Sequence, residues 1–233
     1  MSGLLGALGL GLVSQASLLL AGLFVCWVTV PRKIVGLLAG FGAGALLAAI
    51  SFDLLAETGG LGQWEIGLYM LLGVVIFLGG DHLVEQRFGD QGTGGAMGIV
   101  VGSVVDGVPE SVILGIQVAA DVPISASFVM AVLVSNIPQA IAPSADLAAA
   151  GWGPRRLGRL WLAVVVACGV AAAVGFGIAD VSSSVTGSGM AALAAGGLLA
   201  MLTDSLVPFA YERGGELAGV ATVVGFIVSL GGT

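Results

Sequence analysis

Apolar stretches of about 20 residues, separated by short polar or glycine-containing breaks, run the length of this chain. They lie near 4–29, 34–56, 66–86, 93–120, 123–150, 157–179, 184–211 and 216–232. Each is long enough to cross a hydrocarbon core as a helix. None alternates with the two-residue period of a barrel strand, and lipid cannot satisfy the backbone of an open strand. The pattern predicts an all-α polytopic membrane protein with eight transmembrane helices. The connections run from a few residues to about ten and leave no room for a soluble domain. Residues 1–233 are therefore expected to form a single transmembrane domain.

Charge gives an independent check on that count. The seven basic residues are Arg32, Lys33, Arg87, Arg155, Arg156, Arg159 and Arg213. With eight spans, all of them fall in or beside the first, third, fifth and seventh connections. Glu57, Glu65, Asp121 and Asp180 lie on the other side. Basic residues accumulate on the cytoplasmic side of a membrane protein, so both termini are expected outside a cell (inner) membrane. Met1 to Leu10 lacks the basic start of a cleavable signal peptide, and none is expected.

Composition agrees with lipid as the solvent. Apolar residues make up 58% of the chain and charged residues only 9%, against about a quarter in soluble domains. The 40 glycines follow no Gly-X-Y period, which excludes collagen, and they let helices approach closely in a bilayer. They permit a homodimer without demanding one. The net charge of −7 gives no reason to expect a nucleic-acid partner. Cys26 and Cys168 lie in apolar runs and read as small packing residues. The four tryptophans, such as Trp64 and Trp152, fall mostly near span ends, as interface anchors do.

One segment resembles another in the same chain. Gly44-Ala-Leu-Leu-Ala-Ala-Ile-Ser-Phe-Asp-Leu-Leu55 aligns without gaps on Gly196-Gly-Leu-Leu-Ala-Met-Leu-Thr-Asp-Ser-Leu-Val207. Spans two and seven would cross in opposite directions, as in an inverted repeat with a midplane site between its halves. The alternative is chance similarity between two helices built from the same few residue types.

Ionisable groups inside a span are costly and mark function by default. Span four carries Asp106-Gly-Val-Pro-Glu110, whose carboxylates are one turn apart on one face. They repel unless a cation or a proton lies between them. Span five carries Ser135-Asn-Ile-Pro-Gln139 at matching depth, where Ser135 and Gln139 share a face beside Asn136. Pro109 and Pro138 each free a backbone carbonyl. Two kinked helices thus offer oxygen donors, which suit hard divalent cations. The alternative is a structural hydrogen-bonded contact in which Asn136 and Gln139 hold neutral carboxyls. Asp53 and Glu57 end span two as entrance ligands or as ordinary interfacial termini. Asp204 lies about two turns inside span seven. His82, the only histidine, ends span three with Asp81 and Glu85.

These residues resemble the ZIP (Zrt/Irt-like) metal transporters along essentially the whole chain. Span four of that family carries His-Asn-x-x-Asp or His-Asn-Phe-Pro-Glu-Gly, where this chain has Asp106-Gly-Val-Pro-Glu-Ser111. Span five carries His-Glu-x-Pro-His-Glu, where this chain has Ser135-Asn-Ile-Pro-Gln-Ala140. Phe52-Asp-Leu-Leu-Ala-Glu57 and Thr203-Asp-Ser-Leu-Val-Pro208 resemble the family's endings of spans two and seven. The resemblance implies a 3+2+3 inverted-repeat bundle that transports a divalent metal cation, Zn²⁺ first, with no resident cofactor. It places the metal on Asp106, Glu110, Asn136 and Gln139, with Asp53, Ser135 and Asp204 as further candidates. Both motif prolines are present and every motif histidine is replaced. One of the family's two adjacent metal positions, which leans on Gly107, Asn136 and Gln139, looks dismantled. The remaining carboxylates and amides are ligands that Mg²⁺, Mn²⁺ and Ca²⁺ prefer and that zinc accepts.

Two other classes stand beside a carrier. A transport-incompetent relative, binding a cation as a sensor or structural protein, would explain the lost ligands. An enzyme is not expected: Leu78-Gly-Gly-Asp81 and Thr186-Gly-Ser-Gly189 each lack the first glycine of an intramembrane protease motif. There is also no phosphate-binding loop for ATP, so ion gradients would have to drive transport.

Overall fold

The computed structural model describes residues 2–88, 96–119, 124, 126–181 and 187–231, with their side chains except at 2, 80, 81, 83–85, 87, 88, 96–106, 109, 180, 181 and 187. Helices are found on all eight predicted stretches. They are α1 (Ser2–Phe24), α2 (Arg32–Ala49), α3 (Gln63–Phe88), α4 (Ala96–Ala119), α5 (Ala126–Ala149), α6 (Pro154–Val181), α7 (Gly187–Met201), α8 (Val207–Gly214) and α9 (Leu217–Leu230). Among the described residues five stretches are long and apolar enough to cross a membrane: Gly3–Phe24, Arg32–Thr58, Ala126–Ala149, Pro154–Ala179 and Ser188–Gly214. Three apolar helices are shorter, Gln63–Gly79, Glu110–Ala119 and Leu217–Leu230. The fourteen residues of α9 rise only about 21 Å, against a hydrocarbon core of about 30 Å.

The surface is inverted relative to a water-soluble protein. On α6, Leu162, Val166, Val170, Val174 and Ile178 form one continuous exposed stripe at helical spacing. Exposed Leu68, Leu71, Leu72, Val75 and Ile76 do the same on α3, and Val220, Val223, Val224, Ile227 and Val228 on α9. Ser14, Gln15, Glu110, Ser111, Ser135 and Asn136 are buried. Apolar outside and polar inside is the arrangement of a helical membrane protein.

Helix ends follow local chemistry. Pro31 precedes α2 in the extended conformation that proline imposes. Gly151 follows α5 at φ +89°, and Trp152 N–H returns to the Leu147 carbonyl at 3.0 Å. Gly215 plays the same part after α8 at φ +63°, bonding Tyr211 at 2.8 Å. Trp161 departs from the expected interfacial role: it is fully buried, and its Nε1 donates to Ser144 Oγ at 2.7 Å.

In the packing, α2 runs along α9 and α3 along α7, while α1 lies against α5 and α6, and α4 against α6. Glycine makes the first two contacts close. A Cβ at Gly44 would strike the Thr222 carbonyl, and one at Gly225 the Phe41 carbonyl. Between α7 and α3, a Cβ at Gly196 would strike the Met70 carbonyl, and one at Gly73 the Leu193 carbonyl. One sequence shift interconverts the two sets. It takes Gly44 to Gly196 and Phe41 to Leu193, and its reverse takes Thr222 to Met70 and Gly225 to Gly73.

The same shift relates two local irregularities. Helix α2 continues into a π-helical turn at Ile50–Leu54, and α7 into one at Leu202–Leu206. Ser51 Oγ donates to the Leu47 carbonyl at 2.8 Å, and Thr203 Oγ1 to the Leu199 carbonyl at 3.1 Å. A wide turn leaves carbonyls poorly met by the backbone, and a hydroxyl one turn on satisfies them. The aligned segments therefore share their packing and their defect as well as their residues.

Candidate membrane-embedded polar site

A buried polar group joins α1, α4 and α5. Glu110 on α4 is 1% exposed, Asn136 on α5 is 2% exposed and Gln15 on α1 is fully buried. Gln15 Nε2 donates to Glu110 Oε2 at 3.2 Å. Asn136 Nδ2 donates to Gln15 Oε1 at 2.8 Å, with a longer contact to the Ser14 carbonyl at 3.4 Å. The Gln15 amide thus uses both its ends to bridge a carboxylate and a second amide. The chain Glu110–Gln15–Asn136 fastens three helices through one side chain.

Gly107 makes room for this bridge. A Cβ there would lie 3.2 Å from Gln15 Oε1 and 3.0 Å from Cys168 Sγ on α6. The position where the resembled family carries asparagine is therefore backed by the Gln15 head and a buried thiol. Gln15 was not among the residues singled out from the sequence. The signal for it was present: Ser14-Gln15-Ala16-Ser17 is a polar interruption near the middle of the first apolar run, and a buried amide in lipid needs a partner.

The other predicted ligands divide. Gln139 is buried at 8% exposure, and its Oε1 has no hydrogen-bond partner among the described residues. Ser135 is fully buried, but its hydroxyl donates within its own helix to the Val132 carbonyl at 3.0 Å, and its backbone packs on Gly42 of α2. Asp53 is half-buried in the π turn after α2, near Glu57. Asp204 is exposed in the π turn after α7. With Thr203 it lines one end of an open, otherwise apolar groove of ≈ 550 Å³ between α3 and α7. Asp106 lies one turn before Glu110 on α4, with its side chain outside the described residues, as are those of Pro109, Asp81 and Glu85. His82 is exposed, and its Nε2 meets Gln86 Nε2 at 2.8 Å. Pro138 and Pro143 both lie inside α5.

A separate polar pair lies farther along α4. Gln117 Nε2 donates to both oxygens of Glu57 at 3.3 and 3.4 Å. Among the described residues no three His, Cys, Asp or Glu side chains gather as a metal cluster. Among the described side chains the deep site is one carboxylate beside amides, able to hold a proton or to offer a cation charge and neutral oxygen. No protein-family model matches the chain, and no curated protein matches it.

Proposed function

We propose that this chain is a ZIP-like carrier that moves a divalent cation across a membrane by way of Glu110. In this reading the eight helical stretches all span, the two related halves form an inverted repeat and both termini face outside. The observation that carries the reading is the fully buried Glu110 carboxylate, held by the Gln15 amide where α1, α4 and α5 meet. A carboxylate so fully buried is costly to a protein that only folds, and useful to one that must hold charge in transit.

The amides give the site two arrangements. As found, Nε2 of Gln15 lies where positive charge is wanted, and Asn136 supports it. Turning those two amides over would present Gln15 Oε1 to Glu110, while Gln15 Nε2 would then donate to Asn136 Oδ1. Such an all-oxygen set favours Mg²⁺, Mn²⁺ or Ca²⁺ over Zn²⁺, which the family resemblance would put first. Hydrogen-bonded amides in the empty state would spare Glu110 an uncompensated charge. The described residues hold no nucleotide-binding loop, and the cation gradient would supply the driving force.

The Gln15 bridge also favours a second reading, a transport-incompetent relative in which the amide has replaced the cation as a permanent structural tie. Flux separates the two. Protein in liposomes holding a metal-sensitive dye is challenged in turn with Zn²⁺, Mn²⁺, Mg²⁺, Ca²⁺ and Cd²⁺, beside the Glu110→Gln variant. The carrier reading expects saturable influx of at least one ion in the wild type and none in the variant. Influx no greater than in empty liposomes, from folded and inserted protein, would sink it in favour of the structural tie.

A further inference from the structure

We propose that the Cys168 thiol is a soft ligand of the Glu110 site and selects Zn²⁺ or Cd²⁺ over the harder divalent cations. Cys168 lies on α6 and is fully buried. A Cβ built on Gly107 would lie 3.0 Å from its Sγ and 3.2 Å from Gln15 Oε1, so thiol and amide oxygen front the same small space. Glu110 follows Gly107 by one turn of α4 and holds the other end of the Gln15 amide. Three helices thus bring a thiol, a carboxylate and an amide oxygen around a position that glycine leaves open.

A second observation points to a ligand and not to packing alone. Gly107, Ser111 and Gly115 recur every four residues on one face of α4. The two glycines set that face against α6: Gly107 lies on the Cys168 thiol, and a Cβ at Gly115 would strike the Ala172 carbonyl. Ser111 lies between them in the same seam. It is fully buried, and its Oγ has no hydrogen-bond partner among the described residues. An unmet buried hydroxyl is costly. Alanine, as at Ala172 one turn along α6, would fill the seam without that cost. A metal ion beside Cys168 gives the Ser111 oxygen a partner.

The donors name the cation. Thiolate is a ligand that Zn²⁺ and Cd²⁺ favour and that Mg²⁺, Mn²⁺ and Ca²⁺ do not. One thiolate and one carboxylate balance a divalent charge, and the oxygens of Gln15 and Ser111 complete a four-coordinate set. Gln15 Oε1 keeps its bond from Asn136 and offers the metal its second lone pair. Coordination deprotonates the thiol and releases one proton to solvent. Oxygen donors alone would favour the harder ions; Cys168 reverses that preference. The role of this ligand in transport rests on the carrier reading, whereas metal binding at the thiol does not.

The test is Cd²⁺ titration of the full chain in lipid nanodiscs, read by the ultraviolet thiolate-to-metal charge-transfer band. The wild type and Cys26→Ser are expected to show the band, and Cys168→Ser to lose it. Ser111→Ala and Glu110→Gln should each weaken Cd²⁺ binding by at least about tenfold, the scale on which ligands and their supports act. Misfolding would weaken binding of every ion alike. Cys168→Ser should instead shift the preference for Zn²⁺ over Mn²⁺ at least about tenfold toward Mn²⁺, measured by competition against the free-Mn²⁺ electron paramagnetic resonance signal. No band in the wild type, a band that survives in Cys168→Ser, or an unchanged preference overturns the thiol ligand. Liposome influx without the band would leave the carrier standing and remove the ligand. The band without influx would do the reverse.

Discussion

Replacing Gln15 with leucine tests whether the buried bridge holds the helices together. The side chain is fully buried, and leucine nearly matches its volume, so packing changes little. The substitution removes the bond to Glu110 Oε2 at 3.2 Å and the bond from Asn136 Nδ2 at 2.8 Å. An interhelical side-chain hydrogen bond in a membrane protein contributes about 0.6 kcal/mol on average and about 1.7 at most. Losing two gives a loss of about 1–3 kcal/mol. The upper half is favoured because Glu110 is then left buried without the Gln15 donor, whereas Asn136 keeps its 3.4 Å contact with the Ser14 carbonyl. The assay is reversible unfolding in mixed micelles by titration with a denaturing detergent. A cycle with Glu110→Leu completes it: the double variant removes donor and carboxylate together, so it should be less destabilised than the two single losses added. A Gln15→Leu protein as stable as the wild type, or costs that simply add, would refute the bridge.

Two further outcomes follow from the packing and from the cysteines. Gly44→Ala and Gly196→Ala should each destabilise by about 1–3 kcal/mol, because the new methyl meets a neighbouring backbone carbonyl that cannot move aside; Gly67→Ala, with open space around it, should cost nothing in the same unfolding titration. A maleimide should modify Cys26, which is partly exposed, in the folded protein and reach the buried Cys168 only after denaturation, with mass spectrometry of the labelled peptides deciding between the two sites.

Much of the fold was legible because hydrophobic length is a one-dimensional signal. Each apolar stretch is closed by proline, glycine or charge, and helices occupy all of them. The aligned segments at 44–55 and 196–207 were legible too, although their meaning was not. Chance resemblance between Leu- and Ala-rich helices looks the same in sequence, and only the matching π turns and glycine contacts show that packing repeats as well. The deep site was half legible. Glu110 and Asn136 stood out because a carboxylate and an amide beside prolines are rare in a span. Gln15 did not, since its importance lies in which helices α1 touches, and that is a three-dimensional fact. Ser135 is a case where sequence shows position but not direction: its hydroxyl turns back to its own helix, as serine in a helix often does.

The shift that superposes the α2–α9 contact on the α7–α3 contact does not carry the charges. Arg32 and Lys33 correspond to Ser184 and Val185, and Arg213 corresponds to Leu61. Packing is duplicated and polarity is not. Backbone carbonyls meeting glycine are indifferent to which compartment lies above them, so the duplicated scaffold alone could insert either way up. On the proposed eight-span reading, orientation would then rest on a handful of unrepeated arginines and a lysine. Moving those few residues from one set of connections to the other should turn the molecule over while leaving its interior contacts as they are.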